Sequence, residues 1–460
     1  MVYGYRRYDF PSFISAILPL SFKFLLLSLV ANLKFGILSY GRGRSVGAKR
    51  IIVVGAGICG VSTAIWLNRK GYEVSLIDKG SPGMGASYGN SGLLAQWGVD
   101  PVASPDLWRT APGFLTKTNS PLFIQWGYLP QMFPWLIKFL RNATDRGARH
   151  VVNSLIPLLS DSVDQHKNLV KNTPLEGWVR DSKISFVYGN KKKFEADSYG
   201  WKMKALAGLI PKIITEEAVQ EEEPILGKNH RCLAVIEGQG HITDPGQYVV
   251  KLANYFKACG GQLIKAAVTD LQKNSQGRIY NIQTDIGSYS CDIAVITAGI
   301  WSKELTAKLG LKIPLEAERG YHVIFENPSV LPRNPLLMVD GKFGVNAMDM
   351  GLRCAGTVEL GNYTSEPSNA PIAFVKRQAR DAFPELNFTG TKEWMGFRPT
   401  TPDSLPLIGE LGSSGIFVGF GHQHLGLTTG PKTGQILSQI IAGQIPKLDL
   451  APIDPARLLV

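Results

Sequence analysis

Three glycines, one aspartate and two histidines are the residues of this 460-residue chain whose types and spacing first suggest chemistry. Gly55, Gly57 and Gly60, with Ala56, Ile58 and Cys59 between them, follow the apolar, β-branched run 51–54 and precede apolar residues at helical spacing. In such a strand–turn–helix unit the first glycine permits a sharp turn, the second lets backbone approach a pyrophosphate, and the third lets helix and strand pack closely. The phosphates then lie at a helix N-terminus, facing unpaired N–H groups and the positive end of the dipole. A second strand, 73–77, ends in Asp78, 18 residues beyond Gly60. A carboxylate there takes a ribose hydroxyl and disfavours a 2′-phosphate. The motif by itself leaves NAD and FAD open. His422 and His424 suggest metal ligands or a general base, but a metal needs further ligands and no His/Asp/Glu cluster accompanies them, so no metal site is expected.

The elements that must position these groups can be read in outline. The glycine- and serine-rich stretch 80–92 is too polar for strand or helix. Ser87, Asn90 and Ser91 with neighbouring N–H groups form a second candidate anion nest, which favours a large dinucleotide contacted by several loops. Helical patterns occupy 129–140 and 151–170, a strand 183–188, and Lys191-Lys192-Lys193 reads as a solvated turn. Glu216-Glu217 and Glu221-Glu222-Glu223 read as helix ends and surface. Asp244-Pro245-Gly246 caps a helix to Cys259, and Gly260-Gly261, the strand 262–266 and residues 268–271 return the chain to the nucleotide sheet. Residues 291–299 form another apolar strand, ending in small residues beside which a nucleotide fits. Segments 321–325, 343–345 and 352–356 alternate as antiparallel strands of a second layer. A helix spans 376–383; the strand 416–422 follows, and Thr428 to Pro431 open the last helix, 433–441.

Composition sets the frame. With 44% apolar and 19% charged residues the chain is that of a globular protein long enough for two or three domains. Its five cysteines are scattered and never form CxxC, so neither a disulfide framework nor a zinc site is suggested, and a reducing, cytoplasmic location is the simpler expectation. Of the net charge of +12, residues 1–50 supply +7, so the remainder is only mildly basic and lacks the basic stripe of a nucleic-acid binder. Residues 10–40 are apolar but broken by Pro19, Lys23 and Lys34. This stretch has three readings: an anchor, with peripheral contact to the inner membrane; a targeting segment; or a start assigned too far upstream.

The chain resembles the FAD-dependent D-amino-acid oxidase superfamily, most closely its bacterial D-amino-acid dehydrogenase branch, with glycine and sarcosine oxidases as relatives. The glycine turn with Asp78, the stretch 86–92, residues 396–409 and residues 419–427 carry the likeness; Arg319-Gly320-Tyr321 and residues 297–302 add to it. The resemblance, not the spacing, selects FAD, and without a cysteine beside 396–403 the flavin is expected to be non-covalent. It implies that Gly55, Ala56, Gly57, Ile58, Cys59 and Gly60 hold the pyrophosphate, Asp78 and Lys79 the adenosine end, and Val268 the adenine. Ser87, Asn90, Ser91, Gly92, Ala298 and Gly299 would line pyrophosphate and flavin, and Gly421, Leu425, Gly426 and Leu427 the flavin's pyrimidine end. Arg398 would grip the substrate carboxylate bidentately, Tyr321 would bond it too, and His422 would lie at the flavin. The implied fold is α/β: a Rossmann-type FAD-binding domain from 50–96, 238–310 and 395–445, interleaved with an antiparallel-sheet substrate domain from 97–237 and 311–394, a 1–49 extension and a 446–460 tail. The implied partners are an amino-acid substrate and an electron acceptor (quinone, another carrier or oxygen). Alternatives are a glycine/sarcosine-type oxidase and a non-catalytic flavin-binding subunit.

Overall fold

A computed structural model describes residues 49–108 and 120–459. The stretch that has three readings lies outside the described residues, and no helix within them is long and apolar enough to cross a membrane.

Arg50–Val54 is the middle of a six-stranded sheet because four of its five residues are apolar, β-branched and buried, as a strand covered on both faces requires. Glu73–Asp78 and Ile293–Ile296 flank it in parallel, with Val53 opposite both Leu76 and Val295. Gln262–Lys265 and Ile416–Phe420 extend the sheet outward, and Leu407–Glu410 closes it as its one antiparallel strand. The helix Ile58–Arg69 leaves Arg50–Val54 through a turn in which Gly55 has φ +104°. A Cβ on Gly60 would sit 1.8 Å from the Gly55 carbonyl oxygen, so only glycine lets the helix start this close to the strand. The last helix spans Gly426–Ile441 and lies against the first.

A ten-stranded sheet forms the second layer, mostly antiparallel but with two parallel pairings, Leu336–Met338 with Arg180–Tyr188 and Gly351–Leu360 with Leu122–Ile124. One of its faces buries Val323, Phe325, Phe343, Val345, Leu352 and Cys354 in a core shared with the helix Asn369–Ala382. Val268–Lys273 does not join the nucleotide sheet; it enters a separate three-stranded antiparallel sheet.

Several local expectations change for identifiable reasons. Lys191–Ala196 is a short helix, not a turn, because the Asn190 side chain accepts the Lys193 N–H. Glu223 is not on the surface: it is fully buried, and its carboxylate accepts the N–H groups of Arg333 and Asn334 at 2.9 and 3.1 Å. The last helix begins seven residues earlier than its sequence suggests, with Pro431 inside it. Proline cannot donate to the Leu427 carbonyl. The ring of His166 does so instead, through Nε2 at 2.8 Å, while its Nδ1 accepts the Tyr248 hydroxyl at 3.1 Å. Gly390–Thr400 is one continuous strand of the second sheet, so a boundary at residue 395 would cut an unbroken element.

Candidate active site

A cavity of about 750 Å³ lies where the two sheets meet, in the upper part of the range usual for small-molecule and cofactor sites (~300–1,000 Å³). It extends from Asp78, Lys79 and Val268 past the glycine turn to Gly320 and Arg398 on the second sheet.

The dinucleotide side is built largely as its sequence suggests. Gly55, Ala56, Gly57, Ile58 and Cys59 line the cavity, as do Ser87, Asn90, Ser91, Ala298 and Gly299. The Asp78 carboxylate accepts the Ala56 and Gly80 N–H groups, both at 2.7 Å, so it braces the turn as well as facing the cavity. Lys79 lies over the Trp301 ring, 4.1 Å from its centroid. The Ile58 N–H donates to the Ser87 hydroxyl at 3.1 Å, tying the second loop to the helix start. That loop is fastened from the second sheet. Arg353, fully buried, donates to the carbonyls of Tyr88 and Asn90 at 2.8 and 2.7 Å, and the Asn346 amide donates to the Ser91 carbonyl at 3.1 Å. Burial pushes the Arg353 guanidinium down to about 10.

Four expected lining residues lie elsewhere. Gly60 is spent on packing. Gly92 accepts the Ile242 N–H, and its own N–H donates to the Asn90 side chain. Gly421 turns the chain with φ +83° against Thr401. Leu425 is in the core, its N–H committed to the His422 carbonyl at 2.8 Å. Gly426 and Leu427 do line the cavity, in the first turn of a helix, where N–H groups have no intrahelical partner.

The substrate side follows from strand register. Glu316–Glu326 and Gly390–Thr400 pair so that Glu318 stands opposite Arg398, Gly320 opposite Gly396 and His322 opposite Trp394. Alternate residues share a face, so these six look toward the cavity layer, with the His322 and Trp394 rings stacked 5.1 Å apart. Arg398 is half-buried, and one guanidinium nitrogen donates to the Thr357 carbonyl at 2.9 Å. It folds over Gly320, whose missing side chain makes the room. Burial lowers the Arg398 pKa while the facing Glu318 carboxyl raises it; burial also holds Glu318 above the usual carboxylate range.

Tyr321 is a correction. It does contribute to the cavity wall, but its side chain packs in the core, where its hydroxyl donates to Glu359 at 2.5 Å and accepts the Ser368 N–H at 3.1 Å. That hydroxyl has no lone capacity to spare for a carboxylate in the cavity. His422 lines the cavity as expected, but both of its ring nitrogens have partners. One ring nitrogen meets the Thr433 hydroxyl at 2.9 Å and the other the Cys59 sulfur at 3.7 Å, while burial pushes the imidazole down to about 4. His424, which the sequence offers beside His422 only as a metal ligand or base, is the more open of the two. A short 3₁₀ turn, Gln423–Leu425, carries it to the cavity, where its side chain is open. The surrounding protein, and secondarily the Arg398 charge, lower its pKa. Glu318 was missed; its alternation with Gly320 is the only sequence signal. Among the described residues no group of three His, Cys, Asp or Glu could hold a metal.

The donor set fits a flavin dinucleotide. A pyrophosphate needs N–H donors and no facing carboxylate, and residues 55–59 and 85–91 supply backbone donors without one acid. Comparison with known proteins agrees. The D-amino-acid oxidase of Bradyrhizobium diazoefficiens is 36% identical over 419 residues, 89% of this chain and 99% of that protein. The D-amino acid dehydrogenase of Rhizorhabdus wittichii is 26% identical over 416 residues, 87% of this chain and 98% of that one. Glycine oxidase from Geobacillus kaustophilus shares the fold with a TM-score of 0.69 at 20% identity, covering 88% of this chain and 98% of its own. Residues 50–440 match the family described as FAD dependent oxidoreductase. With the glycine turn, Asp78 and an acid-free pyrophosphate cradle facing one long cavity, this chain belongs to the FAD-dependent oxidoreductase family, and its dinucleotide is FAD.

Proposed function

We propose that the protein oxidises D-amino acids, primary or cyclic secondary ones such as D-hydroxyproline, to imines, which for primary amines hydrolyse to 2-oxo acids. The observation that carries this reading is the Arg398 guanidinium, held over Gly320 at the cavity wall. The names of the two relatives point to the same substrates. Non-covalently bound FAD would supply the acceptor for a hydride equivalent. Segments 50–96, 238–310 and the glycine-rich 419–427 would hold it, while 97–237 and 311–400 shape the substrate side. Arg398 would take the carboxylate through two parallel N–H donors and so fix the α-carbon. Gly426 and Leu427 would present N–H groups to the negative charge that develops on reduction. His424, open to the cavity beside Arg398, would be placed to contact the substrate. No protein base is assigned: both nitrogens of His422 are engaged, and a neutral substrate amine needs none.

The test is anaerobic. Purified full-length protein, its visible flavin spectrum recorded, is mixed in turn with D-amino acids, hydroxyproline isomers, glycine and sarcosine. Bleaching by D-amino acids with FAD recoverable from the protein is expected, and Arg398→Leu should keep the flavin and lose bleaching at ordinary substrate concentrations. Bleaching only by glycine and sarcosine would reassign the substrate, and unchanged turnover in the variant would remove Arg398 from the site. Admitting oxygen or a quinone afterwards identifies the acceptor by the rate of reoxidation.

A further inference from the structure

The helix Leu129–Asn142 departs from the usual pattern of a surface helix. Its inner stripe, Met132, Trp135 and Phe139, is buried, and Trp135 donates its indole N–H to the Thr400 carbonyl at 3.2 Å. The outward stripe of such a helix should be polar. Here positions 130, 133, 134, 137, 138 and 141, which recur at three- and four-residue spacing, are Pro, Phe, Pro, Ile, Lys and Arg, and all are exposed. Phe133 is 54% exposed and Ile137 37%. Trp126, 64% exposed, sits one turn before the helix; Trp108, 59% exposed, bonds the Ala143 carbonyl at its far end. Trp126, Trp108 and Phe133 are among the more exposed large apolar side chains of the described residues. The outward stripe carries two cations, Lys138 and Arg141, and residues 120–144 contain no Asp or Glu.

We propose that this face is an interfacial membrane-docking surface for an anionic lipid bilayer. Tryptophan and phenylalanine side chains with Ile137 suit the headgroup–acyl boundary, and the exposed Lys138 and Arg141 beside them complement negative headgroups. The helix lies along the boundary and does not span. Its inner side grips the end of the strand that carries Arg398, so docking sets the cavity-bearing layer against the membrane. This proposal concerns lipid binding alone and does not depend on which substrate is oxidised.

Full-length flavin-loaded protein is floated with vesicles of phosphatidylglycerol or of phosphatidylcholine. Binding to the anionic vesicles, weakened by high salt, is expected. The triple variant Trp126→Ser, Phe133→Ser, Ile137→Ser should lower the bound fraction about tenfold or more. Its flavin content, melting temperature and turnover with a soluble acceptor should match the unaltered protein. Lys138→Glu with Arg141→Glu, a variant that leaves the apolar side chains in place, should also weaken anionic binding. Failure to bind phosphatidylglycerol, or binding that both variants leave intact and that therefore belongs elsewhere in the chain, would overturn the proposal. A solution dimer that the triple variant converts to monomer would overturn it by assigning the face to a second copy.

Discussion

Replacing Gly320 with alanine should separate the substrate contact from the fold. An ideal Cβ there would lie 2.5 Å from both the Cζ and one terminal nitrogen of Arg398, and 2.9 Å from the other. Ordinary contacts begin near about 3.5 Å, so the guanidinium must retreat by roughly 1 Å, breaking its bond to the Thr357 carbonyl on the way. The obstruction is the far end of a flexible side chain, not backbone, and alanine is about 0.5–1 kcal/mol better than glycine within a strand. Stability should therefore change little. Losing the aligned guanidinium removes charge-assisted hydrogen bonds worth about 1.5–3 kcal/mol, which at 1.36 kcal/mol per decade is roughly a 10- to 150-fold fall in kcat/KM. The assay is anaerobic flavin bleaching against D-amino-acid concentration, with a thermal melt and the flavin absorbance of the same preparation. A kcat/KM within twofold of the unaltered enzyme, flavin bound and melt unchanged, would refute the placement of Arg398 on the substrate.

Other consequences follow from the same contacts. Tyr321→Phe deprives buried Glu359 of a donor and the Ser368 N–H of its acceptor, so denaturant unfolding should show a loss of about 1–3 kcal/mol with KM unchanged; a raised KM at full stability would return Tyr321 to the substrate. His166→Leu leaves the Leu427 carbonyl and the Tyr248 hydroxyl unpaired, at a cost of roughly 2 kcal/mol or more, and adding Pro431→Ala, which restores an N–H to the helix, should recover about 1 kcal/mol of it in the same unfolding measurement. Buried His166 and His422 have pKa values near 4, against 6.5 for an unperturbed histidine. Between those values the unfolded chain binds more protons, so their contribution to stability is intact above pH 6.5 and falls as pH drops toward 4, by on the order of 1.4 kcal/mol per pH unit for each histidine. Urea midpoints at pH 7 and pH 5 test this, and the slope for His166→Leu should be shallower by about one proton's worth; an equal slope would refute it.

How much of this was legible in the chain depends on how local the cause is. The strand–turn–helix start, Asp78 and the 86–91 loop are local: a β-branched run, glycines where backbone must come close, and a carboxylate at the next strand end. The structure places them along one cavity. The flavin itself and Arg398 became visible only through resemblance, since spacing does not separate NAD from FAD. Glu223 was misread because its partners, Arg333 and Asn334, lie over a hundred residues away. The last helix was read too short because the donor that spares Pro431 its cost comes from His166, far along the chain.

The side-chain orientations at the cavity share one origin. Arg319, Gly320 and Tyr321 are adjacent in sequence, yet a strand sends neighbours to opposite faces. Only the pairing of Glu316–Glu326 with Gly390–Thr400 decides that Gly320 meets Arg398 while Tyr321 turns into the core. The same holds for His422 and His424, two residues apart, one locked between Cys59 and Thr433 and the other opened to the cavity by a single 3₁₀ turn. By itself the sequence determined the strand–turn–helix that faces the cavity, because backbone geometry at glycine is a short-range property. Which side chains face the cavity was decided by tertiary structure, because strand register and burial are set by partners the local sequence does not contain.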